Sequence, residues 1–201
     1  MRVFVVGASG AIGTRLVPQL IARGHEVIGT FRSPGNAERI QALGAKPIVL
    51  NLLDARAVRK AVLDSKPEVI VHQATALADL RDFKHFDRSF AQTNRLRTEG
   101  TDALLAAARE AGVRRFVAQS FASARYARGG GPVKTEDDPL DPTPVAAMRE
   151  TDMNEPVKRL LCQSILPSLW LEAIRECTGP GSEALATVNH SDIRRLPARG
   201  G

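Results

Sequence analysis

Val3-Phe4-Val5-Val6-Gly7-Ala8-Ser9-Gly10-Ala11-Ile12-Gly13 decides how the rest of the chain is read. A short run of β-branched and aromatic residues predicts a strand, and a glycine closes it. Leu16 and Leu20, with Val17 and Ile21, then recur at the spacing of an amphipathic helix. Strand, tight turn and helix in this order put the glycines at a helix N-terminus, whose backbone N–H groups lack intrahelical partners and attract an anion. Gly7 permits the sharp exit from the strand, Gly10 lets the backbone approach a diphosphate, and Gly13 lets the helix pack closely. The amides of Ser9, Ala11 and Ile12 complete the cradle.

Outward from this turn the alternation continues. Glu26 to Phe31 predicts a second strand, Ser33-Pro34-Gly35 a turn, and residues 36–43 a helix. A third strand is expected over 47–50, and Asp54 is placed to cap a helix over 55–64. Val69-Ile70-Val71 gives a fourth strand, one long helix runs from about 83 to 111 and stops at Gly112, and Arg115 to Gln119 gives a fifth strand. Strands separated by helices need crossover connections, so the pattern predicts a doubly wound α/β fold with a parallel sheet covered on both faces. This Rossmann-type domain is assigned to residues 1–147.

Periodicity stops from Phe121 to about Pro144, where Gly129-Gly130-Gly131-Pro132, Pro139, Pro142 and Pro144 mark an extended loop. Residues 148–201 read as a divergent, truncated-looking segment, with a helix within Val157 to Cys177 broken at Pro167 and a frayed, disordered end over the last two dozen residues.

With 201 residues, 43% of them hydrophobic, the chain buries one substantial core but is short for two full domains. A net charge of +6 would suit a polyanion, yet the basic residues are scattered and adjacent arginines occur only at 114–115 and 194–195, which argues against nucleic-acid binding. The N-terminal apolar run is too short for a signal peptide or membrane span, so a soluble, cytoplasmic protein is expected. Cys162 and Cys177 lack Cys-x-x-Cys spacing, which supports neither a metal site nor a redox motif. Oligomeric state stays open, a homo-oligomer included.

Where folds of this class prefer NAD, a carboxylate at the end of the second strand accepts hydrogen bonds from the adenine ribose. This chain instead has Phe31, Arg32 and Ser33. A guanidinium there attracts the 2′-phosphate of NADP, and no carboxylate repels it, so NADP is expected in preference to NAD.

Four further stretches carry a resemblance: Asn51-Leu52-Leu53-Asp54, His72-Gln73-Ala74-Thr75, Asn94 through Gly100-Thr101, and Arg115-Phe116-Val117-Ala118-Gln119-Ser120. Together with the G-x-x-G-x-x-G loop they resemble the extended or atypical short-chain dehydrogenase/reductase superfamily, in particular its NAD-dependent epimerase/dehydratase family, over about residues 1–145. The resemblance implies that Asn51 faces the adenine with Leu52 beside it. It implies that Gln73, Ala74 and Thr75 line the phosphate and ribose path, and that Asn94 belongs to the same site. It also implies that Ser120 or Ser123 binds a substrate oxygen. His72, at a strand end, is expected to be a hydrogen-bonded scaffold residue.

Members of that family resemble one another in a Tyr-x-x-x-Lys pair that relays a proton during hydride transfer. The sole tyrosine here is Tyr126, and Gly130 stands where the lysine would be. Tyr126 is therefore expected as a loop aromatic near a small-molecule substrate and as the remaining candidate acid. Three functions stay open: an NADP- or NAD-dependent oxidoreductase acting on a small carbonyl or sugar nucleotide, a non-catalytic dinucleotide-binding or redox-sensing module, and an incomplete, inactive copy.

Overall fold

A computed structural model of the chain describes residues 1–77, 86–119 and 185–189. Its elements run β1 (Arg2–Val6), α1 (Gly13–Ala22), β2 (Glu26–Phe31), a 3-10 turn (Pro34–Asn36), α2 (Ala37–Ala42), β3 (Lys46–Val49), α3 (Ala55–Ser65), β4 (Val69–His72), α4 (Phe86–Arg97), α5 (Glu99–Ala111), β5 (Arg115–Gln119) and β6 (Leu185–Asn189). The sheet order is β3-β2-β1-β4-β5-β6. The first five strands pair in parallel, with Val3 opposite both Val27 and Val69, and Val69 opposite Arg115. The expected doubly wound Rossmann-type sheet is what the chain forms.

Alternation along the strands builds two cores, one on each face. Val3, Val5, Val27, Val71 and Val117 point to the side covered by Leu16, Val17 and Ile40 of α1 and α2. Phe4, Val6, Ile28, Ile70 and Phe116 point to the other, against Val58 and Val62 of α3 and Leu104 and Ala108 of α5. Burial of each β1 residue from Val3 to Val6 on both faces explains why that strand reads as an unbroken apolar run. Asp54 caps α3 as expected, its carboxylate accepting from the Arg56 and Ala57 N–H groups at 3.0 Å each.

Two expectations are corrected. The single helix to residue 111 is broken at Thr98, which separates α4 from α5. Thr98 donates its hydroxyl to the Asn94 carbonyl at 2.9 Å, and its own N–H goes to the same oxygen at 2.8 Å. Such back-bonding from a threonine bends helices. Beyond the bend, Gly100 presses on Leu52: a Cβ there would lie 2.7 Å from the Leu52 Cγ. The second correction lies in the tail, expected to be disordered. Residues Leu185–Asn189 form a strand antiparallel to β5, with Leu185 opposite Gln119 and Asn189 opposite Arg115. No helix among the described residues is long and apolar enough to cross a membrane.

Candidate functional site

Because β1 to β4 run parallel, the chain leaves all of them at one edge of the sheet. From there β1 leads to a helix on one face and β4 to a helix on the other, which opens a crevice between them. The glycine turn fills the β1 side. Gly7 has φ +87°, a conformation that side chains disfavour, and a Cβ on it would come within 2.9 Å of the Ala74 backbone nitrogen. Gly13 is tighter still: its Cβ would meet the Gly7 carbonyl oxygen at 2.4 Å and the Ala8 Cα and oxygen at 2.6 Å. Helix α1 is thereby drawn onto the turn itself.

The turn is pinned by Ala8 N–H to Thr30 O at 3.0 Å and Gly10 N–H to Gly7 O at 3.1 Å. The Gly10 amide is thus spent inside the turn, and what Gly10 contributes outward is its missing side chain. No side chain caps α1; its N-cap position is Ile12, and its first turn holds no acidic residue. The helix start therefore carries partial positive charge that no acidic residue of its own first turn offsets. Ser9 and Ile12 are half-buried in this cradle, and Gly10 and Ala11 are exposed.

Next to the turn, Arg32 and Ser33 are exposed at the end of β2. Phe31 is buried, so its side chain belongs to the core and only its backbone faces the edge; its carbonyl accepts the Leu50 N–H at 2.8 Å. Asn51 is exposed beyond β3, where its Oδ1 accepts the Leu53 N–H at 3.2 Å. That bond turns the chain into α3 and fixes the carboxamide, leaving Nδ2 and one oxygen lone pair outward. Leu52 is buried against α5, so like Phe31 it offers backbone alone.

The β4 side is polar, with His72 and Gln73 buried and residues 74–76 half-buried. His72, 4% exposed, accepts the Ala74 N–H on Nδ1 at 3.3 Å and lies 3.3 Å from the Leu96 carbonyl through Nε2. Since Nδ1 accepts, the ring proton sits on Nε2 and is donated to Leu96. Burial lowers the imidazole pKa to about 4; the Leu96 carbonyl opposes this, and the nearby Arg97 charge adds to it. The ring is neutral at any physiological pH and has no lone pair left for proton transfer, so it serves as scaffold, as the sequence suggests. Gln73 is buried, donates Nε2–H to the His72 carbonyl at 3.2 Å, and leaves Oε1 with no partner among the described residues. Thr75 is half-buried, and Asn94 is buried on α4.

Thr93, which sequence reasoning missed, has a completely buried side chain whose Oγ1 accepts the Ala76 N–H at 3.1 Å. It stands one residue before the stretch that carries the resemblance, and nothing in its own neighbourhood marks it. Ser120, Ser123 and Tyr126, the candidate substrate-side residues, lie outside the described residues.

Residues 3–148 match the NAD dependent epimerase/dehydratase family. The chain belongs to that family. A 3-diazoavenalumate denitrifying reductase from Streptomyces sp is 45% identical over 187 residues, 90% of this chain and 58% of that protein. A UDP-glucose 4-epimerase from Mycolicibacterium smegmatis is 35% identical over 153 residues, 73% of this chain and 47% of the epimerase. Among solved structures, the Bordetella bronchiseptica enzyme WbmG in complex with NAD is similar at a TM-score of 0.58 and 25% identity, over 75% of this chain and 47% of that one. The chain thus spans about half the length of these relatives. The match to the reductase covers 90% of the chain, so it continues past residue 148, where the family model stops.

Proposed function

We propose that the chain binds a nicotinamide dinucleotide, NADP(H) in preference to NAD(H), and serves as an oxidoreductase. The observation that carries this reading is the start of α1, which has neither a side-chain cap nor an acid and which Gly13 packs directly onto the Gly7–Ala8 backbone. Such a terminus suits a diphosphate, and the missing Cβ atoms leave room for it. Arg32 and Ser33 would hold the 2′-phosphate, Asn51 the adenine, and Ala74 and Thr75 the ribose and phosphate path. The buried Gln73 Oε1, which lacks a donor among the described residues, fits the hydroxyl-rich surface of such a ligand. A reduced nicotinamide, once bound, supplies hydride.

For the substrate class, the name of the Streptomyces relative points to a diazo compound that loses nitrogen reductively. An electrophilic carbon that bears dinitrogen takes up hydride and releases N2, leaving no alkoxide to protonate. That requirement agrees with a sequence whose sole tyrosine, Tyr126, is followed four residues later by Gly130 instead of a lysine. Carbonyls and sugar nucleotides, by contrast, need a placed acid, for which Tyr126 is the candidate. The same missing pair favours a second reading, in which the chain binds the dinucleotide without turnover and reports its redox state.

Titration with NADPH and NADH, followed by assays with arenediazonium salts, aldehydes, ketones and sugar nucleotides, tests these readings together. Turnover of any class supports the oxidoreductase, and tight binding with no turnover supports the sensor. Lack of affinity for both dinucleotides in folded protein refutes both. Arg32→Glu is expected to weaken NADPH much more than NADH, because a carboxylate repels the 2′-phosphate. Equal losses for the two cofactors would remove Arg32 from the specificity argument.

A further inference from the structure

Past the end of β4 the backbone loses its ladder: Gln73 N–H still reaches Val6 O at 2.9 Å, but the next amides find side chains instead. Ala74 N–H goes to His72 Nδ1, and Ala76 N–H goes to Thr93 Oγ1. Both acceptors are buried, and both depend on α4, since Thr93 lies on it and the His72 ring is tethered to its Leu96 carbonyl. Ala74 is also the residue that abuts the glycine turn. The Ala74 N and Cα and the Gln73 carbonyl carbon all fall within 3.0 Å of where a Gly7 Cβ would stand. No side chain lies between the two backbones to absorb a shift.

We propose that His72 and Thr93 are positioning residues for dinucleotide binding: they hold the Ala74 and Ala76 amides on α4 and so keep the β4 exit in register with the glycine turn. The proposal rests on the dinucleotide reading above. A neutral imidazole suits the task because one nitrogen accepts while the other donates, which makes the ring a strut between Ala74 and Leu96. Removing either acceptor leaves a part-buried amide without its partner, which frees the segment to shift relative to the glycine turn.

Two pairs of substitutions in the full chain separate positioning from plain stability. His72→Asn puts an amide oxygen near the place of Nδ1, keeping the acceptor for Ala74 but losing Leu96. His72→Gln reaches towards Leu96 and abandons Ala74. Both variants are expected to melt below the wild type, yet NADPH affinity should fall about tenfold in His72→Gln and less than about threefold in His72→Asn, the loss of one hydrogen bond being worth up to about a factor of ten. Thr93→Val should weaken NADPH about fivefold, and Thr93→Ser should restore it. Amide exchange at Ala74 in the ligand-free protein should quicken in His72→Gln and not in His72→Asn, a readout that needs no cofactor.

The proposal is overturned if affinity falls equally in the two His72 variants and follows their melting temperatures, or if Thr93→Val and Thr93→Ser bind alike. Should neither His72 variant fold, the Thr93 pair decides. A wild type that binds neither dinucleotide strikes the cofactor reading itself, and the exchange data then show separately whether the strut exists.

Discussion

Adding one methyl group at Gly13 sets two opposed effects against each other. Gly13 is the first residue of α1 and its φ is not positive, so alanine fits the backbone and gains up to about 1 kcal/mol of helix propensity. Against this, the new Cβ would stand 2.4 Å from the Gly7 oxygen and 2.6 Å from two Ala8 atoms. Ordinary contact begins at 3.4 Å, so the helix and the turn must part by about 1 Å (3.4 less 2.4). All three obstacles are backbone, with no rotamer to swing aside, and Ala8 is itself anchored to Thr30. Overpacking in such places costs about 1–3 kcal/mol, and the upper end applies when backbone must move. Gly13→Ala is therefore expected to lose about 2 kcal/mol net and to weaken NADPH binding more than tenfold, because the displaced amides are those proposed to hold the diphosphate. Urea unfolding gives the first quantity and a fluorescence titration the second. A Gly13→Ala protein as stable as the parent, with unchanged affinity, would refute the claim that this contact shapes the site.

Other outcomes follow from the same geometry. The His72 imidazole has a folded-state pKa of about 4 against an ordinary 6.5, so the unfolded chain binds the extra proton. The stability linked to this group is complete above pH 6.5 and drains away as pH falls towards 4, by about 3 kcal/mol in all. Unfolding curves across that window should be steeper in pH for the parent than for His72→Asn, and parallel curves would contradict the assignment of a buried neutral ring. Asp54→Ala removes an acceptor shared by two amides at the start of α3 and is expected to cost about 1 kcal/mol in urea unfolding without altering dinucleotide affinity. A matching loss of affinity would mean that the α3 cap reaches the site.

What the chain discloses before it folds follows from how each constraint is written into it. Gly7 and Gly13 announce themselves because a crowded backbone excludes every side chain, and that exclusion appears directly as a residue type. The strands are equally plain, since β1 and β4 bury both faces and so read as unbroken apolar runs. The bend at Thr98 is hidden: threonine and Gly100 are each tolerated within a helix, and only Leu52, arriving from beyond β3, makes the close approach at Gly100 necessary. Strand β6 is hidden for a similar reason, because five residues in a Gly- and Pro-bearing tail become a strand through the edge that β5 presents to them.

The same distinction runs through the site. Its β1 side is largely local, a turn on which Gly10 and Gly13 close back onto Gly7 and Ala8, and the spacing of three glycines specifies it. The β4 side is assembled across the crossover, with His72 meeting Leu96 twenty-four residues on and Ala76 meeting Thr93 seventeen residues on. A hydroxyl or an imidazole in such a pair has no distinctive neighbours in sequence, because its partner is set by where α4 docks. Half of the crevice is therefore encoded as absent side chains and half as long-range hydrogen bonds, and the two meet where Gly7 touches Ala74. If the dinucleotide sits where we propose, its placement depends on helix packing as much as on the glycine loop, so substitutions on α4 that never touch the ligand should alter its affinity.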